Sequence, residues 1–173
     1  MTVNTQMNKT KRKTIEGWID KASKQLQVAR QHSKSFNQYS EAIEAAQECV
    51  ELSVKSILSF LDIKYSRSHE WAPDKKEFAA IAQQIQDRQL LDKLAKQYLD
   101  HIVCLPRLLF LMNFWAQFYL TAKYGFEAEH LASARDLFNK DEAELAVQHA
   151  DECYRAASQL RYVNEDKLAA LIL

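Results

Sequence analysis

In the stretch AAQECVELSVKSIL, residues 45–58, Gln47, Glu51 and Lys55 stand at four-residue spacing. On a helix that spacing stacks the three side chains in one row. An amide, a carboxylate and an ammonium in a row supply hydrogen-bond donors, acceptors and both signs of charge. Such a row has two readings. It is a solvent-facing strip, with Glu51 and Lys55 as an i,i+4 pair worth roughly a few tenths of a kcal/mol. Alternatively it faces a cleft and meets a nucleotide, a partner chain or a loop histidine.

The histidine in question is His69, in YSRSHEWAPD at residues 65–74. Imidazole titrates near neutral pH and serves as acid, base or phosphate donor. The same ring can simply tie its loop to the preceding helix, through Glu51. Arg107 follows Pro106 near a helix start, where a guanidinium suits a phosphate. Asn113, Gln117 and Thr121 recur every four residues on the most apolar segment. Buried amides are costly unless hydrogen-bonded. They therefore read as a polar layer within the molecule or at a dimer interface, or as the lining of a ligand cleft. Trp18, Trp71 and Trp115 offer base-stacking surfaces, yet they sit in different elements, which favours packing roles.

Several chemistries are excluded by pattern. There is no glycine-rich phosphate loop, no pair of ExxH motifs for a di-metal bundle and no nucleophile elbow. The carboxylate pairs Glu41/Glu44 and Glu48/Glu51 lack a partnered histidine and read as solvated charge. Cys49, Cys104 and Cys153 form no CxxC motif. They read as small core residues in a reducing compartment. No metal or cofactor is expected.

The elements that must position these residues are helical. The chain has 173 residues, 47% hydrophobic and 27% charged, with 2 glycines and 2 prolines. That length suits one domain with a sizeable core. So few turn residues leave helices joined by short polar connections. Trp18, Ala22, Leu26 and Ala29 predict a helix over 14–33. Tyr39, Ile43, Ala46, Val50, Val54, Ile57 and Leu61 predict another over 39–64. Asp74 with Glu77 has the form of a capping box opening a short helix through Ile85. A helix over 87–103 should turn Leu90, Leu91, Leu94, Tyr98 and Ile102 inward. Pro106 kinks it or opens the next. Residues 108–124 are apolar nearly all round, the pattern of a central helix packed on several sides, and Gly125 is a natural stop. A short helix is expected within 127–138. Asn139 and Glu142 cap the last long helix, whose inner face is Ala143, Ala146, Ala150, Cys153, Tyr154, Ala157 and Leu160. Asn164 caps a final short helix to residue 173. The expected fold class is all-α: an up-and-down four-helix bundle over 14–163, with short additional helices and a C-terminal one over 164–173.

Lysine and arginine number 23, as do aspartate and glutamate, so the formal net charge is zero. No global pull toward nucleic acid or an anionic membrane follows. The basic run KTKRK at 9–13 reads as part of a loose tail over 1–13. No signal peptide is recognised, and 108–120 is too short and too polar to span a bilayer. A cytoplasmic protein with no membrane partner is expected.

Together these residues resemble the HEPN domain family. The resemblance rests on WIDKA at 18–22, YSEAIEAAQECVELSVKSIL at 39–58, and the loop histidine His69. It extends through YLTAKYG at 119–125 to the alanine-rich DEAELAVQHADECYRAA at 141–157. It covers residues 14–161, and its most specific part is the Gln47–Glu51–Lys55 spacing followed by the loop histidine. Such domains are similar to the C-terminal domain of kanamycin nucleotidyltransferase. The resemblance implies a homodimer, often paired with a minimal nucleotidyltransferase in toxin–antitoxin modules. Some members are metal-independent ribonucleases carrying an Arg about four to six residues before a His. Here none of His32, His69, His101, His130 and His149 has an Arg at that distance: Arg30 and Arg67 each lie two residues ahead of one, and Arg107 follows His101. The expectation is therefore a non-catalytic module that binds a nucleotide, RNA or a partner through Gln47, Glu51, Lys55, His69, Arg107 and Asn113. The alternative is a ribonuclease using His69 as base, with Arg67 or Arg107 steadying the phosphorane.

Overall fold

Residues 9–66, 74–125 and 133–172 are described by the computed structural model. The first helix, α1 (Lys9–His32), buries Ile15, Ile19, Ala22, Leu26 and Ala29, one stripe at helical spacing. Trp18 lies beside that stripe and is only partly buried. The run at 9–13 is the first part of this helix and not a loose tail. Two of its cations find fixed partners: Lys11 pairs with Asp62 at 2.6 Å, and Arg12 donates to Glu16 at 3.2 Å and to the Arg161 carbonyl at 2.9 Å.

The second helix, α2 (Tyr39–Phe60), is the most buried element. Its expected apolar row is in place, with Ile43, Ala46, Val50, Val54, Ile57 and Leu61 fully buried. It ends four residues earlier than the periodicity predicts, because Asp62 takes a positive φ of 54° and turns the chain. The third, α3 (Lys75–Asp87), opens on Asp74, whose carboxylate accepts from the Glu77 amide at 2.7 Å. The box is only half made, since Glu77 instead accepts from the Ser66 amide at 2.6 Å.

The helix expected over 87–103 shrinks to α4 (Leu90–Lys96). Gln89 and Tyr98 flank it at positive φ, 50° and 56°. Leu90 and Leu94 point inward, but Leu91 and Tyr98 are exposed, against expectation. Pro106 sits in the first turn of α5 (Leu105–Ala116), where its missing N–H costs nothing. The continuous helix expected over 108–124 is broken, and α6 (Tyr119–Tyr124) follows after Gln117 and Phe118. Gly125 ends α6 at φ 79°, a conformation that glycine adopts without steric penalty.

The short α7 (Ala134–Leu137) precedes α8 (Lys140–Arg161). Asn139 and Glu142 make the full capping box there, with bonds of 3.0 Å and 2.9 Å. The alanine-rich face of α8 is buried as expected, except that Tyr154 lies at the edge and Ala156 replaces it. Finally α9 (Glu165–Ile172) opens where the Asn164 side chain accepts from the Lys167 amide at 2.8 Å.

The fold is all-α. Helix α2 lies between α1 and α8 on one side and α5 and α6 on the other. Small side chains on α8 allow close approach to α2, where Cys49 and Cys153 are both buried. The central helix is therefore α2 and not the 108–124 segment. Among the described residues nothing covers the outer face of α5 and α6, where Phe110, Phe114, Leu120 and Tyr124 are exposed. Among the described residues, no helix is long and apolar enough to cross a membrane.

Candidate functional site

The polar row on α2 is not a solvated strip. Gln47 is 5% exposed, and the Glu51 and Lys55 side chains are 13% and 11% exposed. The Lys55 ammonium donates to Glu51 Oε1 at 2.6 Å. The Gln47 amide donates to the other carboxylate oxygen, Oε2, at 3.3 Å. One carboxylate thus gathers an amide on one side and a cation on the other. Charges in such a place are retained only when paired and hydrogen-bonded.

The row continues one step further than the three residues read from the sequence. Ser59, four residues past Lys55, is buried, and its hydroxyl lies 2.9 Å from the Tyr65 hydroxyl. Tyr65 also donates to the Lys55 carbonyl at 3.3 Å. The signal for Ser59 was available, since 47, 51, 55 and 59 keep one spacing. Tyr65 had no such signal, because its contact depends on the turn after α2. Tyr65 also leads into residues 67–73. His69, Arg67 and Trp71 lie outside the described residues, as does His130.

Arg107 and Asn113 do not join this row. The Arg107 guanidinium holds Glu152 of α8 with two bonds of 3.2 Å each, and that hydrogen bonding raises its pKa above the ordinary arginine value. The fork read as a phosphate binder thus faces a carboxylate. Asn113 is partly buried on α5, Gln117 is exposed at the helix break, and Thr121 is partly buried on α6. The break destroys the four-residue register, so the three make no single layer.

A second polar contact at the α5–α8 seam was not foreseen. The Trp115 indole donates to Nδ1 of His149 at 3.1 Å. Trp115 is buried, as its packing reading implies. His149 titrates below its ordinary value, first because burial disfavours the cation and then because Arg107 repels it, with Glu152 acting the other way.

The three cysteines divide. Cys49 and Cys153 are core residues, but Cys104 is exposed, contrary to the reading of all three as core. It occupies the N-cap of α5, outside the packed face. Burial pushes the Cys49 thiol up to about 12 and raises Cys153 well above the ordinary range. Neither is a nucleophile at neutral pH. Among the described residues, no group of three or more His, Cys, Asp or Glu side chains is placed to hold a metal.

Compared with known families, the chain matches the model of the HEPN domain over residues 15–160. No curated protein and no solved structure matches the chain.

Proposed function

The chain belongs to the HEPN domain family, and on that premise we propose that it is a non-catalytic binding module whose site is the Gln47–Glu51–Lys55 row. The observation that carries this reading is the burial of that row. A helix that needed only solubility would turn its charges outward, whereas this one keeps an amide, a carboxylate and an ammonium at 5–13% exposure. The row supplies donors and acceptors suited to a nucleobase, and a cation suited to a phosphate. The alternative occupant of the same row is a partner chain, for which a minimal nucleotidyltransferase of a toxin–antitoxin-like pair is the candidate from the family resemblance. A homodimer built on the open face of α5 fits the exposure of Phe110 and Phe114, since unpartnered apolar patches mark interaction surfaces. A cytoplasmic setting accords with this reading.

The test is thermal stabilisation of the purified protein by ATP, GTP and their monophosphates, beside Glu51→Gln. A ligand at about a hundred times its Kd stabilises by about 2.7 kcal/mol. The expected result is a shift that Glu51→Gln removes. An RNA-cleavage assay in EDTA runs alongside, with His69→Ala as control. Cleavage lost in that variant would replace the binding reading by the ribonuclease one.

A further inference from the structure

The seam between α5 and α8 carries chemistry that the binding reading does not use. An indole N–H can only donate. Its 3.1 Å contact with His149 Nδ1 therefore requires a lone pair on that nitrogen, which places the neutral ring's hydrogen on Nε2. Protonation puts a second hydrogen on Nδ1, facing the first. Two donors then oppose each other with no acceptor between them, and the bond is lost. Imidazole makes this change near neutral pH.

We propose that the Trp115–His149 contact is a proton-sensitive latch across the α5–α8 seam, closed with the neutral imidazole and released with the imidazolium. Three features of the geometry support it. First, His149 is only partly buried, so protons reach it from solvent. Second, α5 rests chiefly on α2 and only lightly on α8. Besides this contact, the α5–α8 side-chain polar link seen among the described residues is Arg107–Glu152, which is itself about 40% exposed. Third, Trp115 anchors the aromatic cluster of α5. Its ring meets Phe114 edge-on at 5.1 Å and Phe118 at 5.8 Å, and the latter two lie 5.2 Å apart. Releasing the indole thus loosens the packing behind the open face of α5.

The charges around His149 favour the closed form near neutrality. From α5 the facing group is Arg107, which opposes a second cation. From α8 it is Glu152, which favours one but is already engaged by Arg107. The charges that α1 and α2 bring beside α8, Arg30 and Glu48, are committed to Asp151 and Lys21 at 2.6 Å each.

The experiment follows Trp115 emission in a Trp18→Phe/Trp71→Phe background, from about pH 8 to about pH 5, a range that spans the histidine titration. The expected result is a reversible change in emission with its midpoint below 6.5, the ordinary histidine value, and an unchanged far-UV signal. His149→Gln should abolish it, because the glutamine oxygen accepts from the indole and does not titrate. The same transition in His149→Gln, no transition in the parent, or simultaneous loss of far-UV signal would each overturn the latch. Nitrogen–proton correlation of the imidazole in the native sequence gives a check that does not depend on the variant's folding. It should show the Nε2–H tautomer at pH 8, and a proton on Nδ1 would overturn the proposal.

Discussion

Lys55→Met and Glu51→Leu, singly and together, test whether the α2 row is held as described. Each single substitution removes one end of a 2.6 Å ion pair whose side chains are 11% and 13% exposed. An exposed pair of this kind is worth at most about 1 kcal/mol. Removing one member of a buried pair costs about 3–5 kcal/mol, because the remaining charge loses its counter-charge in a poorly solvated place. The row's exposure puts it nearer the second case, so about 3 kcal/mol is expected for each single variant. For Glu51→Leu the Gln47 amide loses its acceptor as well. The double variant leaves neither charge behind, and apolar replacement of a whole buried pair is often neutral or stabilising. It should therefore lie within about 1 kcal/mol of the parent, giving a strong coupling in the double-mutant cycle. Urea unfolding followed by far-UV circular dichroism measures this directly, with the m-value unchanged. In melting temperature the single variants should drop by about 6–12 °C for a chain of this size. Two single variants each costing under about 1 kcal/mol, or a double variant equal to the sum of the singles, would mean that the row is a solvated strip after all.

Thiol labelling of the native protein should modify Cys104 rapidly, while Cys49 and Cys153 react only after denaturation; two fast thiols would contradict their burial. Asn139→Ala, which removes the acceptor for the Glu142 amide, should cost about 1 kcal/mol by chemical denaturation. His149 has a folded pKa below its ordinary value of 6.5, so the unfolded chain binds the proton more readily. Its contribution to stability is complete above that pH and is lost as pH falls through 6.5 and below. Arg107→Gln removes the repelling cation and should raise the Trp115 emission midpoint, whereas Glu152→Gln removes the attracting carboxylate and should lower it. Opposite signs in the titration would show that other groups set the equilibrium.

The long amphipathic helices were legible because periodicity and burial carry the same information. The α2 row from Ile43 to Leu61 and the alanine face of α8 needed nothing beyond spacing. The caps at Asn139 and Asn164 were equally local, each a side chain satisfying an amide a few residues on. What the sequence left hidden was backbone conformation between elements. Positive φ at Asp62, Gln89 and Tyr98 ended or shortened helices that continuous hydrophobic spacing suggested would run on. None of the three is glycine, so no residue type marked the breaks. The apolar segment at 108–124 misled for a related reason. Hydrophobicity on all sides suggests a central position, but its outer aromatics have no covering element among the described residues. In the candidate site, spacing put Gln47, Glu51 and Lys55 on one face, and it was burial that showed the face turned inward. The Arg107–Glu152 and Trp115–His149 contacts join helices far apart in sequence, and no spacing rule reaches across such a gap.

The clasp between α1 and the end of α8 bears on the order in which the molecule assembles. Arg161 donates to the Glu16 carbonyl at 2.9 Å and to Asp20 at 2.7 Å, while Arg12 reaches back to the Arg161 carbonyl. The hairpin of α1 and α2 closes only the turn between His32 and Tyr39, so its contacts form at small entropic cost. Docking of α8 has to close the chain between Phe60 and Lys140 before that helix meets either α1 or α2. Substitutions in the α1–α2 interface, such as Ile19→Val, should therefore slow folding, whereas Arg161→Ala should mainly speed unfolding. Helix α8, with its intact capping box and alanine face, would then be the last large element to settle and the first to leave. A nascent or partly opened chain would consist of a paired α1–α2 hairpin presenting the still uncovered face of α2.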